Sequence, residues 1–137
     1  MSFKFTLIEY KDLNARQQEN YNFQKVAGRL ADYGFNCLRL TDDWEGADFI
    51  AIHKESEHFL KVQLKGRLSI AKKYLGKNIY IAFCNEKNFY IYPHDEMVNW
   101  IDKNENATQT ESWSKGGVYT YRKYSLKIKD ILKVYKI

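Results

Sequence analysis

Two apolar runs with a polar break between them constrain this chain more than any other feature. The first, DFIAI, opens on Asp48, and the second, FLKVQLK, carries Gln63 and Lys65 at alternate positions. Strand side chains repeat with a period of two, so Gln63 and Lys65 emerge on one face if this segment is a strand. Neighbouring strands would bring Asp48 toward them. A carboxylate, an amide and an ammonium then form a cluster able to hold a divalent cation against a phosphate.

The remaining pattern predicts a complete domain around that pair of strands. The first ten residues, with FKFTLIEY, form a short strand or a docked arm. A helix is expected from about Asn14 to Tyr33, with Phe23, Val26, Ala27 and Leu30 as its core stripe and Gly34 at its end. Strands follow at Asn36–Thr41, Asp48–His53 and Phe59–Lys65, with DDWEG as a polar turn. Leu68–Leu75 reads as a short helix, and Ile79–Cys84 and Phe89–Tyr92 as two further strands. Pro93 favours a helix start, with Met97, Val98 and Ile101 facing inward. Asn104–Gly117 reads as an exposed loop and Val118–Tyr124 as an edge strand. Ser125 is placed to cap a final helix through Ile128, Ile131 and Leu132.

At 137 residues the chain has room for one domain, 1–137, with a core of about 14–84 and peripheral elements over 85–137. Short connections favour antiparallel pairing of the first three strands and a parallel fourth. The expected fold class is α/β, a mixed central sheet with flanking helices. An apolar content of 45% argues against disorder. No apolar run reaches the roughly 18 residues of a membrane helix, and the N-terminus lacks a secretory pattern. Cys37 and Cys84 read as buried free thiols, which fits a cytoplasmic protein.

Charge distribution matters more than the net +5. Between Lys61 and Lys77 lie six basic residues and no acid, and from Lys115 onward lie seven with Asp130 as the single acid. Such segments suit phosphate backbones, although a solvated helix face and a soluble tail have the same composition. Glu19 extends the Phe23–Val26–Leu30 stripe, where a carboxylate needs a cation, a lysine or an exit to water. His53, His58 and His94 show no zinc spacing. Trp44 and Glu45 either border a substrate groove or cover the core edge. Tyr119, Tyr121, Arg122, Lys123 and Tyr124 suit stacking and phosphate contact, an ordinary edge strand, or a subunit contact.

Glu19 on the helix, Asp48 in GAD and Gln63-Leu64-Lys65 in KVQLKGR together resemble the PD-(D/E)XK nuclease superfamily, the restriction-endonuclease-like fold. The resemblance spans roughly Asn14 to Cys84 and departs in two places. Ala47 stands before Asp48 where the motif has proline, and Gln63 replaces the acid of the tripeptide. Some members of the superfamily are similar in using glutamine there.

The resemblance implies a helix, three strands, a helix and a strand, and a Mg²⁺- or Mn²⁺-dependent DNA endonuclease. Asp48, the Gln63 side-chain oxygen and the Leu64 backbone carbonyl would hold the metal, with Glu19 assisting. Lys65 would orient or help deprotonate the attacking water, and the products would be a 5′-phosphate and a 3′-hydroxyl. Arg67, Lys72, Lys73, Lys77, Arg122 and Lys123 are the expected DNA contacts, and a homodimer or higher assembly is expected by analogy. The alternatives are a catalytically inactive nuclease-like binding or protein-interaction module, and an unrelated α/β interaction protein.

Overall fold

The computed structural model describes residues 2–137. Helix α1, Ala15–Ala31, begins at a reciprocal cap: Asn14 accepts from the Gln17 N–H while Gln17 accepts from the Asn14 N–H. It ends before Gly34, whose φ of +86° a side chain tolerates poorly. Val26 and Leu30 are buried from this helix, as the stripe predicts. The arm before it is exposed and joins no sheet. Its hold on the body is Tyr10, whose carbonyl accepts from Gln18 and whose hydroxyl accepts from Asn22.

Strands β1 (Phe35–Trp44), β2 (Ala47–His53) and β3 (Phe59–Leu64) pair in antiparallel sequence. β1 runs farther than expected, through DDW, so the turn narrows to Glu45 and Gly46, both at positive φ. Pairing between β1 and β2 shifts register between Arg39 and Trp44, an irregularity that frees the intervening residues from the ladder.

The segment expected as a helix at Leu68–Leu75 is instead strand β4, Ser69–Ala71, followed by a single 3-10 turn, Lys72–Tyr74. All three β4 residues are buried, and Ile70 pairs with Tyr119 of β7, Val118–Thr120. An eight-residue helix has little stability of its own, so ladder bonds and burial on two sides prevailed.

Strands β5 (Ile79–Asn85) and β6 (Asn88–Pro93) complete a five-stranded mixed sheet of order β1-β2-β3-β5-β6. The β3–β5 pair is parallel, and residues 65–78 provide the crossover such a pair needs. Helix α2, His94–Asn104, starts directly after Pro93. The polar stretch after it is not a bare loop: Ala107 and Trp113 are buried, the latter in α3, Glu111–Ser114. Helix α4, Leu126–Val134, is capped by Ser125 as expected, the hydroxyl accepting from the Ile128 N–H at 3.2 Å.

α1 packs on one sheet face through Val26, Leu30, Phe49, Ala51, Val62 and Ala82. On the other face Ile79, Ile81, Phe83 and Tyr92 meet Met97, Ile101, Ile128 and Leu132 from α2 and α4. Residues 85–137 thus supply much of one core. Truncating a side chain as buried as Leu30 to alanine costs about 2–5 kcal/mol, and would release the helix that carries Glu19. Among the described residues, no helix is long and apolar enough to cross a membrane.

Candidate functional site

The β2–β3 register pairs Phe49 with Val62, and one step further sets Asp48 opposite Gln63. Val62 faces α1, so Gln63 turns to the other side, beside Ile81 of β5. The strand ladder continues past β3 through the Lys65 N–H, which donates to the Ala82 carbonyl at 2.9 Å. Three side chains separated by 17 positions in sequence thereby come to one place. Asp48, Gln63 and Lys65 line a groove of about 290 Å³ together with Asp43, Lys73 and Lys77.

Asp48 is half-buried, and its Oδ2 accepts from the Leu64 N–H at 2.9 Å. Burial holds its carboxyl above the ordinary range, with Glu19 and Asp43 adding to the rise while the Leu64 N–H and Lys65 oppose it. The Leu64 carbonyl accepts from Gln63 Nε2 at 3.3 Å. These contacts place a carboxylate, an amide and a backbone carbonyl together at the end of β3. Among the described residues, no three His, Cys, Asp or Glu side chains converge closely enough to form a metal site by themselves.

Tyr74 forms the groove's wall opposite the strands. Lys65 Nζ stands 5.5 Å and Lys73 Nζ 5.1 Å from its ring centroid, where the negative π face attracts both ammonium groups. Burial raises the Tyr74 hydroxyl pKa, with Lys73 opposing it. A Cβ on Gly46 would lie 2.9 Å from the Tyr74 ring, so glycine at this turn is required by both its φ of +93° and the ring.

Behind Tyr74 stands His94, fully buried and edge-on to that ring at 5.5 Å. Its Nε2 accepts from the Ala71 N–H at 3.0 Å, so Nδ1 carries the proton and donates to Asp95 Oδ1 at 3.0 Å. Asp95 Oδ2 accepts from the Gly76 N–H at 2.9 Å. This brace fixes both ends of the segment that carries Lys73 and Tyr74. Burial holds the His94 pKa below its ordinary value, with Asp95 opposing the drop.

Glu19 borders a neighbouring groove of about 740 Å³ that shares Asp43 and Asp48 with the first. Its Oε1 is 3.2 Å from Arg39 Nη2, and Arg39 also donates to Asn20 and lies over the Phe23 ring. The helix thus brings Glu19 near Asp48, but an arginine from β1 already compensates its charge. Arg39 and Asp43 escaped the sequence reading. Alternation with Phe35 and Cys37 marks Arg39 as facing α1, whereas Asp43 depends on the β1 irregularity, which has no local signal.

The expected DNA contacts divide among several places. Lys73 and Lys77 line the site groove. Lys72 turns away: its Nζ is 5.6 Å from the Trp113 ring centroid and donates to the Ser114 carbonyl. Arg67 lies near Tyr124 and lowers its hydroxyl pKa, against a larger rise from burial. Arg122 and Lys123 border a separate groove of about 630 Å³. Trp44 stacks on Phe59 at 6.1 Å while Lys61 binds Glu45 at 2.6 Å, which makes Trp44 a sheet-edge cover beside the site.

The order of the central elements is a helix, three antiparallel strands and a parallel fourth, with β4 and one 3-10 turn standing where the second helix was expected. No family model matches the chain, and no curated protein matches it. Among solved structures it is similar to Hjc, a Holliday junction resolvase from Archaeoglobus fulgidus, at 12% identity and a TM-score of 0.44, covering 56% of this chain and 72% of that one. It is also similar to a bacterial homing endonuclease, I-Ssp6803I, at 15% identity and a TM-score of 0.48, covering 82% of this chain and 78% of that one.

Proposed function

We propose that the chain is a metal-dependent endonuclease that hydrolyses phosphodiester bonds in DNA. The observation that carries this reading is the shared groove of Asp48, Gln63 and Lys65, with Lys73 and Lys77 on its rim. The donor chemistry fits a hard cation: Asp48 with the Gln63 and Leu64 carbonyl oxygens would hold Mg²⁺ or Mn²⁺, and Asp43 adds a second carboxylate to the groove. A cation bound there would lower the pKa of a bound water and offset charge on the phosphate.

The chain's own groups supply the rest. Asp48 gains most from a cation, because burial and two nearby carboxylates disfavour its ionised form. Lys65, steadied against Tyr74, orients the attacking water and neutralises charge that develops on the phosphoryl oxygens. Lys73 and Lys77 hold the flanking backbone as point charges. Glu19 acts at one remove, through water, while Arg39 balances it. A domain of this size reaches both strands of a duplex as a homodimer, with one site on each strand.

The test is cleavage of plasmid, single-stranded and branched DNA with Mg²⁺ or Mn²⁺, comparing wild type with Asp48→Ala and Lys65→Ala. Full cleavage by both folded variants would remove this assignment. A second reading, a nuclease-like module that binds DNA without cutting it, draws on Gln63, which brings no charge and spends its amide N–H on Leu64. That reading expects salt-sensitive binding and intact DNA with every divalent metal tried.

A further inference from the structure

We infer that the groove between the β5–β6 hairpin and α4 is a second binding site for the DNA backbone, distinct from the groove around Asp48. Its concave surface of about 630 Å³ is lined by Arg122, Lys123, Lys129, Lys133 and Lys136, against one acid, Glu86. Among the described residues, no carboxylate lies within ion-pair distance of Arg122, Lys123, Lys129 or Lys136. Lys133 alone has a partner, Asp130 at 3.3 Å, and both side chains of that pair are exposed.

A basic face on a solvated helix is common, but these cations come from three elements. Arg122 and Lys123 belong to the link before α4, Lys129 and Lys133 to α4, and Lys136 to the terminal segment. That segment is pinned to the sheet edge: the Ile91 N–H donates to the Tyr135 carbonyl at 3.0 Å, and the Ile137 N–H to the Phe89 carbonyl at 2.9 Å. The fold thus holds like charges around a preformed concavity, at a cost in mutual repulsion that a polyanion relieves. Spaced phosphates, each free to meet one ammonium or guanidinium, suit this arrangement.

One stretch of chain reaches from the site to the wall of this groove. Lys65 lines the first groove, and three residues on, the Leu68 N–H donates to the Tyr124 hydroxyl at 3.2 Å. Tyr124 lies in the wall of the second groove, and Arg67 sits beside it. A single DNA molecule that occupies both grooves is part of this proposal. This extension rests on the chain acting on DNA, and it favours substrates with backbone reaching well beyond the cleaved bond.

The experiment measures binding of the full chain to a fluorescein-labelled duplex of 30 base pairs, in EDTA, across 50–200 mM salt. Wild type is compared with Lys129→Glu/Lys133→Glu and with a charge-matched control, Lys11→Glu/Lys103→Glu. The groove variant should bind at least about tenfold more weakly, with a log–log salt slope smaller by about two, while the control changes much less. With Mg²⁺ added, the groove variant should raise KM and keep kcat. Equal effects in variant and control, or an unchanged slope, would overturn the proposal, as would wild-type binding to anionic vesicles but not to DNA. Groove-dependent binding without any cleavage would sink the nuclease reading and leave this one standing; cleavage with unaltered binding in the variant would do the reverse.

Discussion

The groove around Asp48 and the groove beside α4 are both open, charged and fed by β5–β6 or its neighbours, yet they are built on opposite principles. The first mixes signs: Asp43 and Asp48 face Lys65, Lys73 and Lys77 across a small space, with Tyr74 as a wall. The second is almost uniformly cationic, and among the described residues most of its cations have no ion-pair partner. Opposed charges lining one half-buried groove favour chemistry, because each can act on a different atom of a substrate. A field of one sign favours grip without chemistry.

The largest effect that separates the two is on turnover. Asp48→Ala and Lys65→Ala should each lower single-turnover cleavage by about 10²–10⁴-fold with little change in DNA affinity. The α4 charge reversals should do the opposite. If Asp48→Ala weakened binding as much as cleavage, the division of labour would be wrong.

His94 comes next, because it fixes the wall of the first groove and touches nothing in the second. His94→Leu would leave the buried Ala71 N–H without an acceptor, costing about 1–3 kcal/mol in denaturant unfolding. His94→Gln, which can accept from Ala71 and donate to Asp95, should restore part of that. The pH dependence follows from the depressed pKa. The unfolded chain takes up a proton near the ordinary histidine value of 6.5 and the folded chain only below it. Stability is therefore full above that pH and is lost as pH falls through the folded value. Tyr74 and Asp95 are the titratable groups that face the ring. A flat wild-type stability profile over this window, or one shared by His94→Gln, would dissociate His94 from it.

Gly46→Ala should cost about 1–2 kcal/mol in thermal stability, from its left-handed φ together with the clash at Tyr74. It should also slow cleavage by displacing the wall that steadies Lys65. The smallest effect tests whether Asp48 is kept for function. Its raised pKa means that the folded chain holds the proton more tightly than the unfolded one, so stability declines as pH rises from the unfolded value through the folded one. Asp48→Asn should then stabilise the protein slightly at neutral pH while abolishing cleavage. Lower stability at neutral pH would mark Asp48 as a structural residue.

Sequence reasoning located the strands that carry the site because β2 and β3 obey simple rules. Apolar alternation sets each face, a one-residue slip would bury Gln63, and a short connection leaves antiparallel pairing as the direct choice. Helical period put Glu19 on the inward stripe of α1, and only the family resemblance set it beside Asp48. The same reasoning failed at Leu68–Leu75, where β4 exists only because β7 lies alongside, some 50 positions later in the chain. It gave no hint that Arg39 would compensate Glu19 across an element boundary.

The chain's own residues determined the polar triplet Asp48, Gln63 and Lys65 and the period that sends Gln63 and Lys65 to one face at the end of a strand. Those are local properties: strand period, helix period and caps reach no farther than a few residues. Tertiary structure alone decided that Asp43 joins the site through an irregular β1, that Tyr74 walls it with His94 behind, and that cations from 122 to 136 gather into one concavity. Each of these depends on contacts between segments distant in sequence, whose formation is governed by what each segment can bury against the others.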